Sequence, residues 1–146
     1  MSITRSLFAA AAVAVAATGA AHAEPAEKLV TIVTSENAQT QLMSMVLTAQ
    51  AVEQGADARI LLCGAGGDIA LADAPESATA PQPPRDASPQ GLMKMLMSRG
   101  VTVEVCAIYL PGLGADQSVL LEGVGVAAPP AMAGAMLDSS AQVWSF

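Results

Sequence analysis

Histidine is all but missing from this sequence: the one copy, His22, sits at the end of an N-terminal leader. Arg5 opens that leader, and residues 7–17 form an apolar run too short to cross a bilayer. Thr18 and Gly19 break the run, and Ala21-His22-Ala23 has the small-x-small pattern of a signal-peptidase site. Residues 1–23 therefore read as a cleavable secretory signal peptide, cut after Ala23. The expected product is a periplasmic or otherwise exported chain, residues 24–146, with no membrane anchor after cleavage. Without His22 that chain cannot build a Ser-His-Asp triad, a Cys-His dyad or a histidine-based zinc site.

Basic residues are also scarce. Once Arg5 is removed, Lys28, Arg59, Arg85, Lys94 and Arg99 stand scattered against thirteen acidic residues. Nucleic acid and anionic lipid both demand clustered Lys and Arg, so neither is an expected partner. Two cysteines, Cys63 and Cys106, are too few for a disulfide framework, and each is judged by its position.

What is present is an alternation of strands and helices. Residues 29–34 are a β-branched run followed by the turn and cap chemistry of Ser35-Glu36-Asn37. Residues 38–54 carry apolar side chains at helical spacing, stopped by Gly55. A second strand runs to Cys63, then come the glycines of residues 64–67 and one short helical turn. Residues 73–88 hold four prolines and read as an exposed, mobile loop inserted in one domain. Ser88-Pro89 opens a helix that Gly100 closes, and residues 101–106 form a third strand, which residues 107–110 extend. Asp116 caps a short helix. A brief fourth strand around Val124, a helix from Pro129 and a fifth strand from Gln142 complete the chain. The expected fold is a three-layer α/β domain: a mostly parallel, five-stranded sheet with helices on both faces.

Ligands of such sheets bind beyond the carboxyl ends of the strands, where strand order reverses. With the order 2-1-3-4-5, Ser35 and Asn37 would face Cys106 across the crevice, and Cys63 would end the strand one further over. Cys106 then has the position of a nucleophile, or of a buried core thiol. Two interstrand steps of about 4.8 Å exceed the roughly 7 Å reach of a disulfide, so the cysteines are expected to be unbridged within one chain. Residues 64–67 lack the spacing and lysine of a phosphate loop, and read as a turn. Met43, Met45, Met93, Met95 and Met97 raise copper(I) binding beside the thiols, but at helical spacing with leucines they read first as core. No resident metal or cofactor is expected.

The stretches 29–55, 58–64 and 91–106, with the closing helix and strand, resemble the DsrE/DsrF-like proteins, small α/β domains of bacterial sulfur metabolism. The most telling piece is residues 100–106, similar to the family's strand that ends in a cysteine. The resemblance implies that Cys106 accepts sulfane sulfur as a persulfide, and that the protein assembles as a homo-oligomer, trimer or hexamer. Its partner would be a sulfane sulfur donor or another small molecule. Ser35, Asn37 and the backbone amides near Gly112 and Gly114 would support the anion, with Cys63 a possible secondary site. The competing reading is a non-catalytic module of the same fold that binds a small ligand or another subunit. A copper(I) binder is a lesser alternative.

Overall fold

The computed structural model describes residues 27–146. The signal-peptide reading, with its cut after Ala23, lies outside the described residues. In chain order the elements are β1 (Lys28–Val33), α1 (Ala38–Glu53), β2 (Asp57–Leu62), a 3-10 segment (Gly64–Ala70), α2 (Glu76–Thr79) and α3 (Pro89–Ser98). There follow β3 (Thr102–Val105), α4 (Tyr109–Leu113), a short 3-10 turn (Gln117–Val119), β4 (Gly125–Val126), α5 (Pro129–Leu137) and β5 (Ala141–Ser145).

The helix boundaries follow from local chemistry. Asn37 Oδ1 accepts the Gln39 and Thr40 N–H groups at 3.0 and 3.1 Å, satisfying donors that the first turn of α1 leaves free. Ser88 Oγ does the same for Gly91 N–H at 3.1 Å, with Pro89 at the first helical position of α3. Gly55 and Gly100 follow α1 and α3 at φ +97° and +93°, a left-handed turn that costs glycine little.

All five strands are parallel, in the order β4-β3-β2-β1-β5. The expected order 2-1-3-4-5 is thereby corrected: β1 lies between β2 and β5, and β2 is beside β3. The reason is handedness. Met45 and Ala49 of α1 and Met93 and Leu96 of α3 share one core with Ile60, Leu62, Val103 and Val105, so both crossovers cover the same face. Right-handed crossovers on one face must step in one direction, carrying the chain from β1 to β2 to β3. Met132 of α5 instead packs with Val30, Leu61 and Ala127 on the opposite face, and the chain reverses to put β5 on the free edge of β1.

Two local expectations also change. Residues 107–110 do not prolong β3; they turn into α4, because Tyr109 and Leu110 are buried in the main core. The proline-rich segment is exposed over much of its length but is tied down: α2 lies within it, Ala78 is fully buried, and Gln82 N–H donates to the Ala87 carbonyl at 2.8 Å. Buried polar groups pair across elements. Thr31 and Thr48 hydroxyls meet at 2.8 Å between β1 and α1, and the Gln90 side-chain amide donates to the Ile69 and Leu71 carbonyls at 3.0 and 2.8 Å. No helix among the described residues is long and apolar enough to cross a membrane.

Candidate functional site

Leu62 of β2 is in register with Val105 of β3, so the next residue on each strand, Cys63 and Cys106, stand side by side. Their Cα atoms are 5.2 Å apart and their sulfurs form a disulfide. The expectation of unbridged cysteines fails for the same reason as the strand order: one interstrand step separates them, not two. Both backbones are held by the ladder. Cys63 N–H donates to the Val33 carbonyl and Cys106 N–H to the Leu62 carbonyl, each at 2.9 Å. Strand alternation sends both side chains toward the α5 face, where they border the smaller core cluster and are half-buried.

Two cavities meet at this pair. One, of about 430 Å³, is lined by Cys63, Gly64, Asp68, Cys106, Tyr109 and Gly112 among others. The second, of about 330 Å³, lies between the carboxyl ends of β3 and β4 against α5, with Cys106, Ile108, Ala127, Met132 and Met136 in its walls. Cys106 lines both and Cys63 only the first. The chain leaves β3 on the α1 face and β4 on the α5 face, so the second cavity sits where the crossovers diverge, the usual place for a ligand in an open sheet.

The walls are largely apolar. Asp68 is the one formally charged residue lining either cavity, and its Oδ1 accepts the Tyr109 hydroxyl at 2.7 Å. Burial, reinforced by that hydrogen bond to a carboxylate, pushes the Tyr109 phenol well above its ordinary value of 10.0, so it stays a neutral donor. The glycines beside Cys63 serve close packing. A Cβ on Gly66 would collide with the Val33 carbonyl, and one on Gly67 with the Tyr109 ring. The 3-10 segment can therefore press onto the end of β1 and onto Tyr109.

Of the residues singled out in the sequence, the structure brings Cys106, Cys63 and Gly112 together. Gly114 ends α4 at φ +64° and lines neither cavity. Ser35 and Asn37 follow β1, two strands from Cys106, and are engaged locally: Ser35 Oγ accepts Asn37 N–H at 3.1 Å, while Asn37 caps α1. Asp68 and Tyr109 were not singled out. Tyr109, three residues beyond Cys106, is the only tyrosine of the chain, but its contact with Asp68 spans 41 residues and depends on β2 lying beside β3. Met45 and Met93 are fully buried in the main core, with Met95 and Met97 packed against it, whereas Met43 is exposed on α1. Among the described residues no three His, Cys, Asp or Glu side chains gather as a metal site.

Comparison with known proteins agrees with this architecture. The model of the DsrE/DsrF-like family matches residues 11–144. The ychN protein of E. coli superposes with a TM-score of 0.65 at 20% identity, over 82% of this chain and 99% of that one. MTH1491 of Methanobacterium thermoautotrophicum, a protein of unknown function, superposes with a TM-score of 0.60 at 15% identity, over 82% of this chain and 98% of the other. No protein with a curated description matches the sequence.

Proposed function

The chain belongs to the DsrE/DsrF-like family, and from that premise we propose that it is an exported sulfur-handling protein whose reduced Cys106 accepts sulfane sulfur as a persulfide. The observation that carries this reading is the place of Cys106, at the end of β3 and in the walls of two cavities. In the dithiol form the Cys106 thiolate attacks the outer sulfur of a donor R–S–SH. A new S–S bond forms on Cys106, the donor's S–S bond breaks, and RS⁻ leaves with the electron pair.

The apolar walls, with Asp68 as their one formal charge, suit compact donors of low charge such as organic persulfides. They disfavour a dianion such as thiosulfate. The decisive measurement is intact-protein mass spectrometry of reduced protein after exposure to an organic persulfide. Cys63→Ser is used so that no second thiol competes. One added sulfur on Cys63→Ser, absent from the Cys63→Ser/Cys106→Ala double variant, is expected; no addition to Cys63→Ser refutes the proposal.

The disulfide itself favours a second reading, a non-catalytic module in which the bridge only ties β2 to β3. That reading predicts that Cys106 resists alkylation in the reduced, folded protein. Export and assembly belong to the same proposal. A periplasmic fraction containing a chain that begins at Glu24 would support export, and a cytoplasmic uncut chain would refute it. The homo-oligomer, a trimer or hexamer, is supported by exposed apolar Met43 and Leu47 on α1; light scattering that finds a monomer would refute it.

A further inference from the structure

We infer that Cys63 is the resolving thiol of this site, discharging the Cys106 persulfide as sulfide and closing the Cys63–Cys106 disulfide. The inference rests on the persulfide reading of Cys106 and adds what happens to the sulfur once it is bound.

Three observations carry it. First, the β2–β3 ladder makes the two cysteines neighbours whatever their redox state. Their Cα atoms lie 5.2 Å apart, within the span a disulfide needs, and each backbone N–H is bonded into the sheet. The bond can form without moving a strand. Second, the cavities flank Cys106 asymmetrically. Cys63 shares the first cavity with it, whereas the second, walled by Ile108, Ala127 and Met132, reaches Cys106 alone. Displacement at sulfur needs the attacking and leaving sulfurs on opposite sides. An outer persulfide sulfur lodged in the second cavity has Cys63 behind the bond that must break. Third, the walls offer a persulfide little else to hold it. No lysine or arginine lines either cavity, and the Asp68 carboxylate opposes accumulation of negative charge.

The chemistry balances. Cys63 thiolate attacks Cys106 Sγ, the bond from Sγ to the outer sulfur breaks, and the outer sulfur departs as HS⁻ with that electron pair. The two thiols are oxidised to the disulfide while the sulfane sulfur is reduced to sulfide. The dithiol is restored by exchange with an external dithiol reductant, itself oxidised to a disulfide. The protein thus acts as a reductive sulfur-releasing site and not as a store of persulfide, and the disulfide seen here is the end point of its turnover.

The test uses the full chain, reduced, freed of reductant and mixed anaerobically with a limiting organic persulfide. Sulfide release and alkylation-trapped mass spectra are followed together. Wild type is expected to release sulfide stoichiometrically with the sulfur supplied and to regain the Cys63–Cys106 bond. Cys63→Ser and Cys63→Ala should both keep the sulfur on Cys106 and release none. Wild type that holds its persulfide as stably as these variants overturns the resolving role while leaving Cys106 as acceptor. Sulfur found on Cys63 in Cys106→Ser, loaded as fast as Cys106 is in Cys63→Ser, overturns the assignment of roles. If neither Cys63 variant takes up sulfur, the acceptor reading beneath it has failed instead. If both misfold, trapping wild type at short times decides: a transient Cys106 persulfide that precedes sulfide supports the role, and sulfide without it refutes the role.

Discussion

Opening the Cys63–Cys106 disulfide should weaken the fold measurably and yet leave it folded, and both halves of that statement can be checked. The bridge closes a loop with a sequence separation of 43 residues. The chain-entropy relation assigns such a loop about 13 cal/mol/K, which is about 4 kcal/mol at room temperature. That value is a ceiling, since residual order in the unfolded reference state lowers it. Domains of this size are stable by about 5–15 kcal/mol, so a loss of up to about 4 kcal/mol leaves most of that range folded. The core supports this. Ile60, Leu62, Val103 and Val105 hold β2 and β3 against α1 and α3 without help from the sulfurs. The assay is urea unfolding of oxidised protein, reduced protein and Cys63→Ser, followed by the emission of Trp144, the only tryptophan. With a slope of about 2 kcal/mol/M, the midpoint should fall by up to about 2 M in both reduced protein and variant. A reduced chain that is already unfolded in buffer would refute the reasoning: the bridge would be a structural staple, with no folded dithiol left to accept sulfur.

Three further outcomes are expected. Titrating the single tyrosine by ultraviolet absorbance should show no ionisation of Tyr109 near its ordinary value of 10.0. Because the folded value is raised, its contribution to stability is intact below that value and is lost as pH rises toward the folded one, a slope that Tyr109→Phe should abolish. Gly66→Ala drives a Cβ against the Val33 backbone carbonyl, which cannot rotate away, and should cost about 1–3 kcal/mol by chemical denaturation. Asn37→Ala should cost about 1 kcal/mol by removing the α1 cap, with sulfur loading of Cys106 in a Cys63→Ser background unchanged. A loss of loading there would return Asn37 to the site.

The legible features of this chain were those decided within a few residues. Asn37 and Ser88 marked helix starts because a side-chain oxygen satisfies N–H groups two or three positions on. Gly55 and Gly100 marked the stops because glycine ends helices at little cost, and both adopt positive φ. The β-branched runs before Ser35 and Cys106 read as strands, and the closing helix and strand were placed to within a residue or so. Residues 107–110 misled because their apolar run fits a strand as well as a buried turn, and only the seat of Tyr109 in the core distinguishes them. Residues 73–88 looked too proline-rich to be held, since nothing local reveals that Ala78 reaches the core.

The site divides along the same line. Sequence alone determined that the chain is an alternating α/β domain, that its chemistry cannot rest on histidine after residue 23, and that Cys106 ends a strand. Strand order was beyond it, because parallel strands are joined by crossovers whose direction depends on which face each helix covers. The shared core of α1 and α3 made that choice, stepping β1, β2 and β3 in one direction while α5 took the other face. From it alone follow the neighbouring cysteines, the Tyr109–Asp68 bond and the pair of cavities. Two strand-end cysteines that the sequence set two strands apart became, in three dimensions, a neighbouring pair.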